Sequence, residues 1–176
     1  MRCLTFAVLL VAPALVGSAP PALAQTSGTS GPKVLERKDV SLALANDLIA
    51  ASLSTCRAAG RSAVVAVVDR GGNLVALQRD DTVGPHNTAA AQRKAFTALS
   101  TRTATGLLGE RARSDTATQN LNTVGDLLLL GGGVPLMVDG QIIGGLGVAG
   151  AGGPAGDEGC ANQAVRDVMA GGGANR

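Results

Sequence analysis

Residues 134–149 read VPLMVDGQIIGGLGVA, two apolar runs on either side of Asp139-Gly140. Asp-Gly between apolar runs is among the stronger short-range hairpin signals, because a type I′ turn needs positive φ at both central positions. Val134 to Val138 and Gln141 to Ala149 are therefore expected to be neighbouring antiparallel strands. Just upstream, Leu127 to Leu130 is another apolar run, set off by Gly131-Gly132-Gly133, and the three runs together read as a three-stranded meander. Further upstream, Ala63 to Val68 is continuous and rich in β-branched residues, and Arg70-Gly71-Gly72-Asn73 separates it from Leu74 to Arg79, a second hairpin.

Helical spacing fills the intervals. Leu42, Ala45, Ile49, Leu53 and Cys56 recur on one face behind an Asp39 or Ser41 cap and ahead of Gly60. Thr88 is placed to cap a helix through about Ala104, whose Ala91, Ala95, Ala98 and Leu99 make a small-residue face suited to close packing. Leu107 to Arg113 adds a short helix, and Asp157 or Glu158 opens a last one ending near Met169. The expected order is α-β-β-α-β-β-β-α. Hairpin-length links within each strand group point to an α+β fold, a five-stranded antiparallel sheet flanked by helices, and away from a doubly wound parallel one.

The amino end carries an export signature: Arg2 as a positive start, an apolar stretch from Leu4 to Val16, and Ala22-Leu23-Ala24 before Gln25. That stretch is too short to span a bilayer as a helix, and no later one approaches the roughly 20 apolar residues required. The expected organisation is a secretory signal over 1–24, a flexible leader over 25–38 rich in Ser, Thr, Gly and Pro, a single domain over 39–170 and a disordered tail over 171–176. The expected location is periplasmic or secreted.

Removing the signal sharpens the composition. Without Arg2 the balance is 14 basic against 13 acidic residues, which suggests no polyanionic partner. Phe96 becomes the only aromatic residue, so successive bases have no stacking platform and nucleic-acid binding is excluded on this ground. Cys56 and Cys160 remain, with one intramolecular pairing open to them. In an oxidising compartment such a pair tends to form a disulfide. Two buried free thiols, or a redox or metal role, are the other readings, and neither cysteine has a Cys-x-x-Cys partner.

Gly145-Leu146-Gly147-Val148-Ala149-Gly150 matches the dinucleotide pattern G-x-G-x-x-G, with Asp167 further on. The context fails, because a dinucleotide fingerprint opens a βαβ unit and only one helix follows here, with no second parallel strand. No nucleotide cofactor is expected. These glycines read instead as positions where a strand passes close to neighbouring backbone or to a flat ligand.

His86 is the only histidine, which removes most hydrolytic machinery, and neither a Gly-x-Ser-x-Gly elbow nor a His-Glu-x-x-His helix occurs. A lone histidine can bind iron or move protons near neutral pH; an exposed loop histidine looks identical in sequence. It closes the run Asp80-Asp81-Thr82-Val83-Gly84-Pro85-His86, at the entrance to the second helix. Arg93 and Lys94 on that helix can reach an anion held near the loop, or form a solvated charged face. Asp69, Asp80 and Asp81 are a cation site or ordinary turn acids.

Four blocks, in this order and spacing, carry a family resemblance: residues 67–74 (VVDRGGNL), 91–98 (AQRKAFTA), 131–135 (GGGVP) and 143–148 (IGGLGV). Covering about Leu42 to Met169, they resemble the GlcG/HbpS haem-binding family, and Gly84-Pro85-His86 with the two cysteines resembles an exported branch of it. The resemblance implies a profilin-like sandwich, assembly into homo-oligomers, and binding of haem or a related tetrapyrrole, with weak haem degradation and iron binding attributed to relatives. In that context His86 is the candidate axial ligand and iron-binding residue, and Arg79, Arg93 and Lys94 are candidate partners for the propionates. Three functional classes follow: an exported protein that sequesters or carries haem, an oligomeric module signalling haem or redox state to a membrane sensor, and a haem-degrading or small-metabolite enzyme.

Overall fold

The computed structural model describes residues 31–170, so the signal over 1–24, the first part of the leader and the tail over 171–176 lie outside the described residues. Residues 36–170 form one compact unit. Its elements are α1 (Leu42–Ala58), β1 (Val64–Asp69), β2 (Leu74–Arg79), α2 (His86–Thr101), α3 (Thr105–Ser114), the single turn α4 (Thr116–Gln119) with a 3₁₀ turn over Asn120–Thr123, β3 (Gly133–Val138), β4 (Gln141–Ala149) and α5 (Pro154–Met169). The strands form an antiparallel sheet in the order β2-β1-β4-β3.

Both hairpins form where turn chemistry places them. Asp139 and Gly140 have φ of 49° and 72°, the two positive values a type I′ turn requires. At the β1–β2 turn, Gly72 has φ 84° and the Asp69 carboxylate accepts the Asn73 N–H at 2.8 Å. β1 lies inside the sheet and is covered on both faces, which is why its sequence is continuously apolar and not alternating. Val65 and Val67 join the main core beneath α1 and α5, while Val64, Ala66 and Val68 face α2 on the other side.

The expected fifth strand, Leu127 to Leu130, does not form, and the sheet has four strands. Side chains, and not a ladder, satisfy this segment's backbone. The Leu128 N–H donates to Thr97 Oγ1 at 2.8 Å, the Leu127 carbonyl accepts from Arg93 Nη2 at 2.7 Å, and the Leu130 carbonyl accepts from Thr105 Oγ1 at 2.7 Å. Arg93 and Thr97 stand one turn apart on α2, so the segment is a strap fastened along that helix. The three-stranded meander is thus a β3–β4 hairpin, and the order is α-β-β-α-α-α-β-β-α.

Helix boundaries also differ in detail. Ser41, not Asp39, caps α1, accepting the Leu44 N–H at 3.2 Å. α2 begins at His86 behind Pro85 and not at a Thr88 cap, while α5 begins at Pro154 in the first turn, where a missing N–H costs nothing. Cys56 on α1 and Cys160 on α5 are joined as a disulfide, with Cα atoms 5.4 Å apart, and both are buried.

The glycines of β4 admit α2 to close packing. A Cβ on Gly147 would collide with the Ala91 carbonyl oxygen and lie 2.6 Å from the Ala95 nitrogen, and one on Gly145 would collide with the Ala95 carbonyl oxygen. The G-x-G pattern is therefore a seat for the small-residue face of α2, the backbone-approach reading of these glycines.

Candidate functional site

α2 has two faces. The inner one, with Ala91, Lys94, Ala95, Thr97 and Ala98, is buried against the sheet. The outer one carries Ala89, Gln92, Arg93 and Phe96, which with Gly72 and Asp126 line a shallow hollow of about 280 Å³. Gly72 is part of the design: the Phe96 ring lies where a side chain at 72 would stand, 2.8 Å from an added Cβ. The only aromatic side chain of the described residues thus rests on the β1–β2 turn and forms one wall of the hollow.

His86 is the first residue of α2 and is exposed, its imidazole lying over Gly84, 3.2 Å from where a Cβ there would be. Among the described residues no side chain or carbonyl takes a hydrogen bond from it. Helix geometry places it on the same face as Ala89 and Arg93, three and seven residues on, with a rise of about 10 Å between His86 and Arg93. Arg93 is exposed and uses Nη2 alone to hold the carbonyls of Gly125 and Leu127, both at 2.7 Å, leaving Nε and Nη1 for an anion. Arg79 is exposed at the end of β2 and sits opposite Val64, whose side chain packs with Val83 and Ala91, so it lies on the α2 side of the sheet.

Lys94 is placed elsewhere. Its side chain is 1% exposed; Nζ donates to the Asp157 carboxylate at 2.7 Å and to the Val148 carbonyl at 3.0 Å, while the other Asp157 oxygen accepts the Ala151 N–H at 2.7 Å. Its ammonium is committed to tying α2, β4 and α5 together on the inner face, away from His86 and Arg93. An Arg-Lys pair in sequence gives no sign of this: adjacent helical residues point about 100° apart, so one can be exposed while the other is interior.

The three loop acids are turn and pairing residues. Burial pushes the Asp69 carboxyl up, but hydrogen bonds from the Asn73 side chain and from the backbone of the turn outweigh it and hold the group below the usual range. Asp80 behaves alike: burial pushes it up, and the Arg57 guanidinium and Ala63 N–H bring it below its ordinary value. Among the described residues no group of three His, Cys, Asp or Glu side chains is arranged to hold a metal ion. Sequence reasoning missed Phe96, Gly72 and Asp126 as one locus, because the hollow is made by segments brought together only in the fold.

These features can be set beside known proteins. A family model described as haem degrading protein HbpS-like matches residues 40–166. Protein GlcG of Escherichia coli strain K12 is 38% identical over 106 residues, 60% of this chain and 78% of that protein. A crystal structure of HbpS superposes with a TM-score of 0.73 at 34% identity, covering 80% of this chain and 96% of that one. A crystal structure of a PduOC:heme complex does so with a TM-score of 0.67 at 28% identity, covering 72% and 93%. With the match running from Val40 into α5, and so across every strand of the sheet, the chain belongs to the HbpS-like haem degrading protein family.

Proposed function

We propose that this protein binds haem or a related tetrapyrrole on the outer face of α2 and acts outside the cytoplasm, in the periplasm or medium, to sequester or carry it. The observation that carries the reading is the coincidence on one helix of an exposed imidazole with no hydrogen-bond partner among the described residues and a guanidinium with donors to spare, beside a hollow walled by Phe96. His86 would supply an axial nitrogen to the iron, and Arg93 and Arg79 would face the propionates. Lys94 contributes by holding α2 in place. A relative solved as a heme complex supports the ligand class. Export is supported by the pattern at residues 1–24 and by the Cys56–Cys160 disulfide, a bond that persists in oxidising compartments. Self-association is part of the reading, since β2 and β3 are outer strands of the sheet, each with an edge unpaired among the described residues and open to a second copy.

Haemin titration of the purified protein tests it. The expected result is a saturable Soret shift that is lost or strongly weakened in His86→Ala. Absence of a saturable shift refutes haem binding, and unchanged binding in His86→Ala refutes the ligand assignment while leaving the haem reading intact. Steady release of iron and a linear tetrapyrrole would make the protein an enzyme and not a carrier.

A further inference from the structure

A second concavity, of about 550 Å³, opens between α3, the end of the strap and the start of α5, on residues that play no part in the α2 face. We propose that it is a binding site for a small organic ammonium compound, a primary amine with a short apolar body. Its volume falls within the range of about 300–1,000 Å³ common to small-molecule sites. Glu110 and Arg113 stand on α3, Glu158 and Asn162 on α5, and Leu129 and Leu130 supply the apolar wall.

Glu158 is the central group. Its carboxylate is half-buried and lies over two glycines: a Cβ on Gly131 would stand 2.8 Å from Glu158 Oε2, and one on Gly106 would collide with that oxygen. Neither glycine has positive φ, so backbone conformation does not demand glycine at either position. At Gly106 the missing side chain leaves space for this carboxylate alone, and at Gly131 for it and for the Pro154 carbonyl, 2.9 Å from an added Cβ. Among the described residues the side chains of Glu158, Glu110 and Arg113 make no ion pair or hydrogen bond, although all three line the same groove.

The charge balance selects the ligand. Two carboxylates against one guanidinium leave a net negative side-chain charge, which exceeds the partial positive charge of the α5 first turn at the groove's edge and favours a cation. Among the described residues no three His, Cys, Asp or Glu side chains are gathered as a metal site, so the groove is no cage for a calcium-type ion. A primary ammonium needs a few directed acceptors, which Glu158, Glu110 and the Asn162 amide oxygen can supply. Its alkyl body would cover Leu129 and Leu130.

Backbone amide NMR with n-butylamine, and with butyrate and n-butanol as probes of the same apolar body, tests the site. Butylamine is expected to shift the amides of Gly106, Gly131 and Gly159 saturably, with a Kd on the order of 1 mM, and the other two probes are not. Glu158→Gln, which preserves shape, is expected to weaken binding about tenfold or more, as loss of a charge-assisted hydrogen bond would. Gly106→Ala, which displaces the carboxylate, is expected to do the same, and His86→Ala to leave amine binding unchanged, which separates this site from the haem reading. No saturable shift at about 50 mM amine, far above the expected Kd, would overturn the proposal. So would an equal response to butyrate or butanol, undiminished binding in Glu158→Gln, or groove shifts that follow protein concentration alone and mark a contact between copies.

Discussion

Lys94→Met tests whether the interior ion pair holds the fold together. The Lys94 and Asp157 side chains are 1% and 5% exposed, so the pair is shielded from solvent, and methionine keeps most of the lysine's length while removing its charge. The substitution strips Asp157 of its counter-ion and Val148 of a donor, leaving the carboxylate the Ala151 N–H. Breaking a buried pair by removing one partner costs about 3–5 kcal/mol, because the remaining charge is buried and uncompensated. Asp157 lies in the first turn of α5, where the helix dipole favours an anion, which places the expected loss toward the lower figure. For a chain of this size that is a fall in Tm on the order of 10 °C. Urea unfolding followed by far-ultraviolet circular dichroism measures it. The double variant Lys94→Met/Asp157→Asn keeps an acceptor for the Ala151 N–H and removes the stranded charge, so it is expected to be more stable than Lys94→Met alone, by about 1 kcal/mol or more. A Lys94→Met protein within about 0.5 kcal/mol of the parent, the spread of ordinary surface substitutions, would refute the reasoning.

Four other outcomes follow from the geometry. Gly147→Ala sets a methyl against the Ala91 carbonyl and is expected to cost about 1–3 kcal/mol by overpacking, or to prevent α2 from docking. Gly159→Ala, in open space on α5, is the control and is expected to be neutral or to gain about 0.5–1 kcal/mol, with paired melting curves deciding between the two. Reducing Cys56–Cys160, which closes 104 residues of sequence, is expected to cost about 2–5 kcal/mol, measured by urea unfolding with and without reductant; a change below about 1 kcal/mol would show that the bridge carries little. Asp80 has its folded carboxyl held below the unfolded value, so its contribution is present above about pH 4 and fades as pH falls through the lower, folded pKa. Acid unfolding curves should therefore flatten in Asp80→Asn, and an unchanged slope between about pH 4 and pH 2 would contradict the assignment.

Much of the scaffold was legible because it is locally encoded. Asp139-Gly140 specifies its own backbone, and the β-branched run from Val64 to Val68 announces a strand covered on both sides. Leu127 to Leu130 misleads for a physical reason: a short apolar run bounded by glycines meets the conditions for a strand, and what decides otherwise is the arrival of Arg93, Thr97 and Thr105 side chains at its carbonyls and amides. Those hydrogen-bond partners lie about 30 residues away and carry no local signal. The candidate sites divide in the same way. His86 could be picked out by its rarity, but the fate of Arg93 and Lys94 could not, since the same sequence pair yields one exposed and one interior cation. Glu158 read only as a helix opener, because the groove around it is assembled from α3, the strap and α5.

The glycines of β4 connect these observations. Because Gly145 and Gly147 have no side chains, α2 approaches the sheet so closely that the residues set against them, Ala91 and Ala95, must be small; of the longer inner residues, Leu99 packs against Val68, and Lys94 is accommodated by running to Asp157. The inner face is thereby fixed by backbone-to-backbone packing and one buried ion pair, with little room to adjust. The outer face rides on that packing: His86, Ala89, Gln92, Arg93 and Phe96 are carried in register on one closely seated helix, with Arg93 further tied to the strap it fastens. A ligand bound there meets a preformed surface, and ordering the protein adds little to the cost of binding. For a chain with one aromatic residue among its described residues, the proposed haem surface on this face would rely on such rigidity in place of enclosing walls.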